Sequence, residues 1–333
     1  MPAVQSAPKS RMKTVLVVGS TGQQGSSVVK ALSESGRYFC LALTRNLETP
    51  KAKRIAALEN VQLVSADLDD EPQLRSVFVE AIQSGVSPIW GVFVALAFPG
   101  FGVSTSKEEV QGKTIASIAA EFNVQSYVYS SVIKYLPDEQ HAPARGSDRY
   151  AKASIEKHVQ TMGYSWTIIR PGFFMENLGQ GMIGRLTDGA LRYSGSRVQF
   201  IAVNDIGLVA CAIFNEPSKF TQKILDVAGD SLTSEERSQA FIRATGHDIP
   251  GVPSLLIAAL YRLNGDVQQI INELRLSDET RRQDPNGHDA NIQEVAKHVR
   301  LTTFEEWARK RIPGNEENAS THGVTLLGLI LGR

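Results

Sequence analysis

Residues 15–32 read VLVVGSTGQQGSSVVKAL. Four apolar residues run into a glycine-rich turn, and a run with helical periodicity leaves it. A strand buried on both faces reads as such an unbroken apolar run. Glycines stand at positions 19, 22 and 25, the spacing G-x-x-G-x-x-G. Gly19 permits a tight turn off the strand, Gly22 lets backbone approach a ligand, and Gly25 lets the helix pack close to the sheet. The helix start then offers unpaired N–H groups and a positive dipole end, which suit a pyrophosphate. A glycine repeat alone is a weak sign and can be a turn with no ligand. Between a buried strand and a helix it reads as a dinucleotide site.

The pattern around that stretch repeats. Strands are expected at 15–19, 38–45, 61–68, within 88–98, at 126–132 and at 165–171. Helices are expected at 23–35, 51–59, 72–84, 107–122 and 148–162. Strands alternating with helices of this length imply βαβ units and a parallel sheet covered on both faces. The regularity fades after Pro171. Residues 173–186 are aromatic and glycine-rich at their start, 198–214 hold a strand and an apolar helix, and 223–229 (KILDVAG) form another strand. Beyond Ser234 the chain reads as mostly helical, a smaller lobe over the carboxyl edge of the sheet.

Bulk composition narrows the functional classes. Of 333 residues, 42% are hydrophobic and 21% charged, ordinary usage for a soluble globular protein. Lys plus Arg and Asp plus Glu are 35 each, so no basic excess points to nucleic acid. The two cysteines, Cys40 and Cys211, fit no disulfide or zinc spacing and read as buried free thiols in a reducing compartment. The N-terminal stretch MPAVQSAPKSRMK lacks the apolar core of a secretory signal. No run reaches the roughly 18 apolar residues of a membrane span. The last residues, GVTLLGLILGR (323–333), are apolar but too short to cross a bilayer; they read as a tail packed on the core, on a partner subunit, or against a membrane surface.

The second strand tests which dinucleotide fits. An NAD-preferring site carries an acidic residue there, about 20 residues past the glycines, for the ribose 2′-hydroxyl. This chain has Arg45, with Lys51, Lys53 and Arg54 close behind. A guanidinium matches a 2′-phosphate in charge and in forked geometry, so NADP(H) is the expected cofactor. The other reading is a solvated basic loop. Asp67 and Leu68, ending the third strand, are placed to flank an adenine, and Asp67 also suits a helix cap.

The stretches GSTGQQGSSVVKAL, LTRN, SADLDD, EEVQGKTIA, DRYAKASIEKHV and TIIRPGFFMENL follow one another in an order and spacing that resembles the NmrA-like family of atypical short-chain dehydrogenases. The likeness spans 14–178, and LTTFEEWARK (301–310) resembles that family's C-terminal end; it is thin over 188–300. The resemblance implies a Rossmann domain with a smaller C-terminal lobe that binds NADP(H) or NAD(P). Some members reduce quinone-like and natural-product compounds. Others sense redox state and bind protein partners without turnover. By that resemblance Gly19, Ser20, Thr21, Gly22, Gln23 and Gln24 hold the pyrophosphate, with Gly25 packing behind them. Arg45 and Asn46 meet the 2′-phosphate, and Asp67 and Leu68 the adenine. Lys113 and Lys152 reach toward the nicotinamide half, and Phe174, Met175, Glu176 and Asn177 line the cofactor and substrate cleft. Ala95-Leu96-Ala97 departs from the family, which shows a polar residue after its fourth strand.

Chemistry is less plain than binding. An orthodox short-chain dehydrogenase carries Tyr-x-x-x-Lys on one helix face, where the lysine lowers the tyrosine pKa for acid–base work. Here Lys152 is present, but Asp148 stands four residues before it, and Tyr150 points elsewhere around the helix. Lys152 is the catalytic candidate, either holding the nicotinamide ribose or, if desolvated, moving a proton. Ser130 and Ser131 end the fifth strand at the ligand-binding edge; Tyr135 and His141 in the next loop are substitute donors or solvated side chains. Phe173, Phe174 and Met175 read as an apolar floor for a planar substrate or as core. The histidines show no metal-ligand spacing, so no metal is expected, and the hydrolase elbow, Walker A and H-E-x-x-H motifs are absent.

The expected fold is α/β, a Rossmann-type doubly wound parallel sheet with a smaller, mostly helical C-terminal lobe. Residues 1–12 are expected to be a disordered N-terminus, 13–171 the NAD(P)-binding domain, and 172–333 a substrate lobe interleaved with it and ending in the apolar tail. The expected function is NADPH-dependent reduction of an apolar small molecule such as a quinone, enone or ketone, in a secondary-metabolite setting. Two alternatives stay open: a non-catalytic NADP(H) redox sensor that regulates a protein partner, and a non-redox isomerase or cyclase on the same scaffold. Expected partners are a small-molecule substrate and, for a sensor, a protein, with a homodimer compatible; neither nucleic acid nor membrane is expected. The expected location is the cytoplasm, with the nucleus left open.

Overall fold

The structure, a computed structural model, describes residues 12–83, 87–97, 104–133, 148–178, 181–283 and 292–310. Strands β1 (Lys13–Val18), β2 (Tyr38–Thr44), β3 (Val61–Ser65), β4 (Ile89–Val94), β5 (Ser126–Ser130) and β6 (Ser165–Pro171) all join one sheet. Strands β7 (Phe173–Phe174) and β8 (Val198–Ile201) leave it, and β9 (Lys223–Val227) returns. The order is β3-β2-β1-β4-β5-β6-β9, with every pair parallel. The connection therefore reverses between β1 and β4. Ligands of open α/β sheets bind at the carboxyl ends of the strands at such a switch point.

The strands alternate their side chains between two cores. Leu16 and Val18 of β1 face a cluster with helices α3 (Glu71–Gln83), α4 (Ser106–Glu121) and α5 (Asp148–Gln160). Val15 and Val17 face a second cluster with α1 (Gln23–Ser35). Short α2 (Pro50–Ala56) follows β2 and starts on a Thr49 cap whose hydroxyl accepts from the Ala52 amide at 3.1 Å. Met12, expected in the disordered terminus, is 5% exposed and packs in the first cluster, because the alternation that starts β1 already reaches it.

The second half of the chain builds part of this sheet as well as the lobe. Helix α6 (Gly181–Ser194) belongs to the lobe, while α7 (Val203–Asn215) lies on α1. A Cβ on Gly207 of α7 would stand 2.3 Å from the Ser27 carbonyl oxygen, so the two helices meet backbone to backbone. After α8 (Pro217–Phe220), β9 pairs with β6 at the sheet edge. Strand β8 pairs in parallel with β7 and antiparallel with β10 (Asp230–Leu232), a small second sheet. Helices α9 (Ser234–Thr245), α10 (Ser254–Leu263), α11 (Gly265–Gln283) and α12 (Phe304–Arg309) follow. The lobe core joins Met175, Leu191, Phe200, Phe241 and Phe304. Cys40 and Cys211 are free and buried, and burial pushes both thiols up. No helix among the described residues is long and apolar enough to cross a membrane. Tyr135, His141 and the tail at 323–333 lie outside the described residues.

Candidate functional site

The glycine turn is held by backbone contacts that admit no side chain. Gly19 has φ +79°, and a Cβ there would stand 2.1 Å from the Ala95 carbonyl oxygen. A Cβ on Gly25 would stand 2.2 Å from the Gly19 carbonyl oxygen, so α1 sits against the turn that precedes it. Gly22, the N-cap of α1, is exposed; no side chain caps the helix and its first turn carries no acidic residue. The first-turn amides thus keep their hydrogen-bonding capacity and dipole for an anion. The buried Ser20 hydroxyl donates to the Leu43 carbonyl at 2.7 Å, tying the turn to the end of β2. Thr21 is half-buried and Gln23 exposed. The Gln24 side-chain oxygen accepts from the Ser130 hydroxyl at 2.6 Å, which links the turn to the end of β5.

Two and three residues past Leu43, Arg45 and Asn46 are exposed. The Asn46 side-chain oxygen accepts from the Glu48 amide at 2.8 Å, shaping the loop, and Lys53 pairs with Glu48 at 2.9 Å. At the end of β3, Asp67 and Leu68 are half-buried. Bonds from Gln111 and Lys107 hold the Asp69 carboxyl below its usual range, and the Arg45 charge adds a smaller pull. The cap of α3 is a correction to the sequence reading. Asp70, not Asp67, accepts from the Gln73 amide at 3.0 Å, while Asp67 accepts from the Asp69 amide at 3.0 Å in the preceding turn.

Helices α4 and α5 carry the two candidate lysines. The Lys152 ammonium bonds the Glu108 carboxylate, with side-chain exposures of 11% and 3%. Lys113 pairs with Glu109 at 2.6 Å, and the Ser154 hydroxyl donates to the same carboxylate at 2.6 Å. One turn beyond Lys152, the fully buried Glu156 accepts from the Ser131 hydroxyl at 2.5 Å and from both prongs of Arg170 at 3.0 and 2.7 Å. The sequence reading passed over Glu108 and Glu156. The i, i+4 spacing of Lys152 and Glu156 was the available signal, since it puts a cation and an anion on one helix face. Glu108 gave none, because an acidic pair in a first helical turn is ordinary dipole compensation. Among the described residues, no group of three His, Cys, Asp or Glu side chains could hold a metal ion.

Comparison with known proteins gives the family. A family model described as the NmrA-like family matches residues 11–308. The chain belongs to the NmrA-like family. An NmrA-like family domain-containing oxidoreductase of Aspergillus japonicus, himF, is 26% identical over 257 residues, covering 71% of this chain and 74% of its own. An NAD(P)H azoreductase of Xenophilus azovorans is 27% identical over 260 residues, covering 75% and 80%. Among solved structures, NmrA, a negative transcriptional regulator crystallised with NADP, superposes with a TM-score of 0.66 at 20% identity, covering 91% of this chain and 96% of that one.

In this NmrA-like chain the segment after β6 does more for packing than its sequence suggests. Phe173 and Phe174 alternate on β7. The first packs edge-on against Phe200 with centroids 5.8 Å apart, and the second packs on the α1-side core. Met175 is fully buried in the lobe core. The Glu176 carboxylate accepts from the Val203 amide at 3.1 Å and so serves the first turn of α7; burial holds its carboxyl above the usual range. Asn177 is exposed. Phe173 and Phe174 are both half-buried, each packed against a different cluster, because a two-residue strand between two clusters must give one side chain to each.

Proposed function

We propose that this protein is an NADP(H)-dependent oxidoreductase that reduces an apolar small molecule, a quinone, enone or ketone. The observation that carries the reading is the uncapped α1 N-terminus behind a glycine turn bonded to the end of β2, with Arg45 rather than an acid exposed there. The residues fit the cofactor: a helix start with no capping side chain and no acid in its first turn, behind a turn that Gly19 and Gly25 keep tight against backbone, with a basic run over Arg45, Lys51, Lys53 and Arg54. Bound NADPH would supply hydride, and the protein orientation and electrostatics. The α1 amides would hold the pyrophosphate, Arg45 the 2′-phosphate, and Lys152 the nicotinamide ribose. With Asp148 where the usual tyrosine stands, acceptors that take their proton from water are favoured. Relatives named oxidoreductase and azoreductase support redox chemistry.

A second reading, an NADP(H) sensor that regulates a protein partner, is favoured by that same missing tyrosine. One experiment separates the two. Fluorescence of bound NADPH is followed while quinones, enones and ketones are added. Oxidation by one acceptor, slowed in Lys152→Ala, is the expected result. Tight NADPH binding with no oxidation across the panel, and a clearly different affinity for NADP⁺, moves the sensor reading ahead.

A further inference from the structure

We propose that Glu108 is a positioning residue for the dinucleotide site. It fixes the Lys152 ammonium at the ribose side, so that Lys152 works as a held cation and not as the proton donor. The inference rests on the dinucleotide reading above and adds a residue to it.

Lysine is a point charge on a flexible four-carbon stem, and its direction must be imposed from outside. Here the ammonium is bonded to a carboxylate that is itself 3% exposed and projects from the first turn of α4. Both helices are fixed in their turn. Glu156 anchors α5 to Arg170 of β6 and to Ser131 at the end of β5. The Gly112 position of α4 is so close to Ile155 that a Cβ would stand 2.4 Å from its Cδ1. Glu108 therefore presents its carboxylate from a rigid base, and the lysine head follows it. A buried ion pair does not by itself add stability, so its use here is geometric.

The test measures NADPH dissociation constants by fluorescence, with melting temperatures, for wild type, Glu108→Gln, Lys152→Met, the double variant and Ser154→Ala. Ser154→Ala removes the neighbouring α4–α5 bond without touching Lys152. Glu108→Gln is expected to weaken NADPH binding about tenfold, the scale of one charge-assisted hydrogen bond. The double variant should bind no worse than Lys152→Met, since coupled residues are non-additive. Ser154→Ala should bind as wild type does. With an oxidising acceptor, Glu108→Gln should raise the NADPH KM and leave kcat within about threefold. If Glu108→Gln does not fold, Glu108→Asp, which keeps the charge and shortens its reach, should show a loss of about threefold. The proposal is overturned if either Glu108 variant binds within about twofold of wild type, if the loss adds to that of Lys152→Met, or if Ser154→Ala matches it. Wild-type protein that binds no dinucleotide overturns the reading underneath; wild-type binding with an unchanged Glu108 variant overturns this proposal alone.

Discussion

A methyl group on Gly25 would stand 2.2 Å from the Gly19 carbonyl oxygen, and one on Gly22 3.2 Å from the same atom. The first clash is with backbone that cannot turn aside. Gly25→Ala is expected to cost on the order of 1–3 kcal/mol and to weaken NADPH binding, with Gly22→Ala costing clearly less. Melting temperature and NADPH fluorescence check both, and equal behaviour of the two variants would refute the packing role of Gly25. Arg45 makes a different prediction. Arg45→Asp removes a forked partner for a phosphate and offers an acceptor to a hydroxyl. The NADPH over NADH preference should fall by about one to two orders of magnitude. An unchanged ratio of dissociation constants would show that Arg45 only faces solvent.

At the scale of elements, the helices and their anchors decide how the site is held. Glu156 on α5 is fully buried and receives both prongs of Arg170 from β6. Removing one member of such a pair leaves a buried charge without its counter-ion, at a cost of roughly 3–5 kcal/mol. Glu156→Gln should lower the unfolding free energy in urea by that amount, the midpoint falling at an unchanged slope. Helix α12 starts with a capping box in which Thr303 accepts from the Glu306 amide and Glu306 answers to the Thr303 amide. Thr303→Ala should cost about 1 kcal/mol in the same assay. Element positions were legible where local chemistry is complete. The helix read at 23–35 is α1 as found, bounded by Gly22 and by Gly36 in the left-handed region. Where two acidic residues compete for a cap, as Asp67 and Asp70 do, local chemistry allows either, and the register of the turn before α3 chose Asp70.

Over the whole molecule, the last strand of the main sheet is pinned from a distance. Lys223 of β9 pairs with Glu294 at 3.0 Å, and Lys297 pairs with the same carboxylate at 2.9 Å. Bonds from these two ammoniums lower the Glu294 carboxyl from its usual 4.5 to about 2. A carboxyl more acidic in the folded state binds fewer protons there than in the unfolded chain. Its stabilisation is therefore present above pH 4.5 and lost as pH falls toward about 2. Glu294→Gln should melt below wild type at neutral pH, and the gap should close across that acidic window. A gap independent of pH would mean that the pair contributes nothing through charge.

The sequence by itself determined the alternating βαβ half, the glycine turn, the basic end of β2 and the absence of a tyrosine four residues before Lys152. These depend on neighbours within a few residues, where periodicity and turn chemistry are complete. Only the tertiary structure decided that KILDVAG closes the main sheet beside β6, that α7 covers α1, and that Met175 belongs to the lobe core. It alone brought Glu108 to Lys152, 44 residues away, and Gln24 to Ser130, 106 residues away. No spacing rule reaches so far along a chain. Such pairs are fixed by which helix faces meet across the sheet, and that follows from burying the apolar faces of all the elements at once.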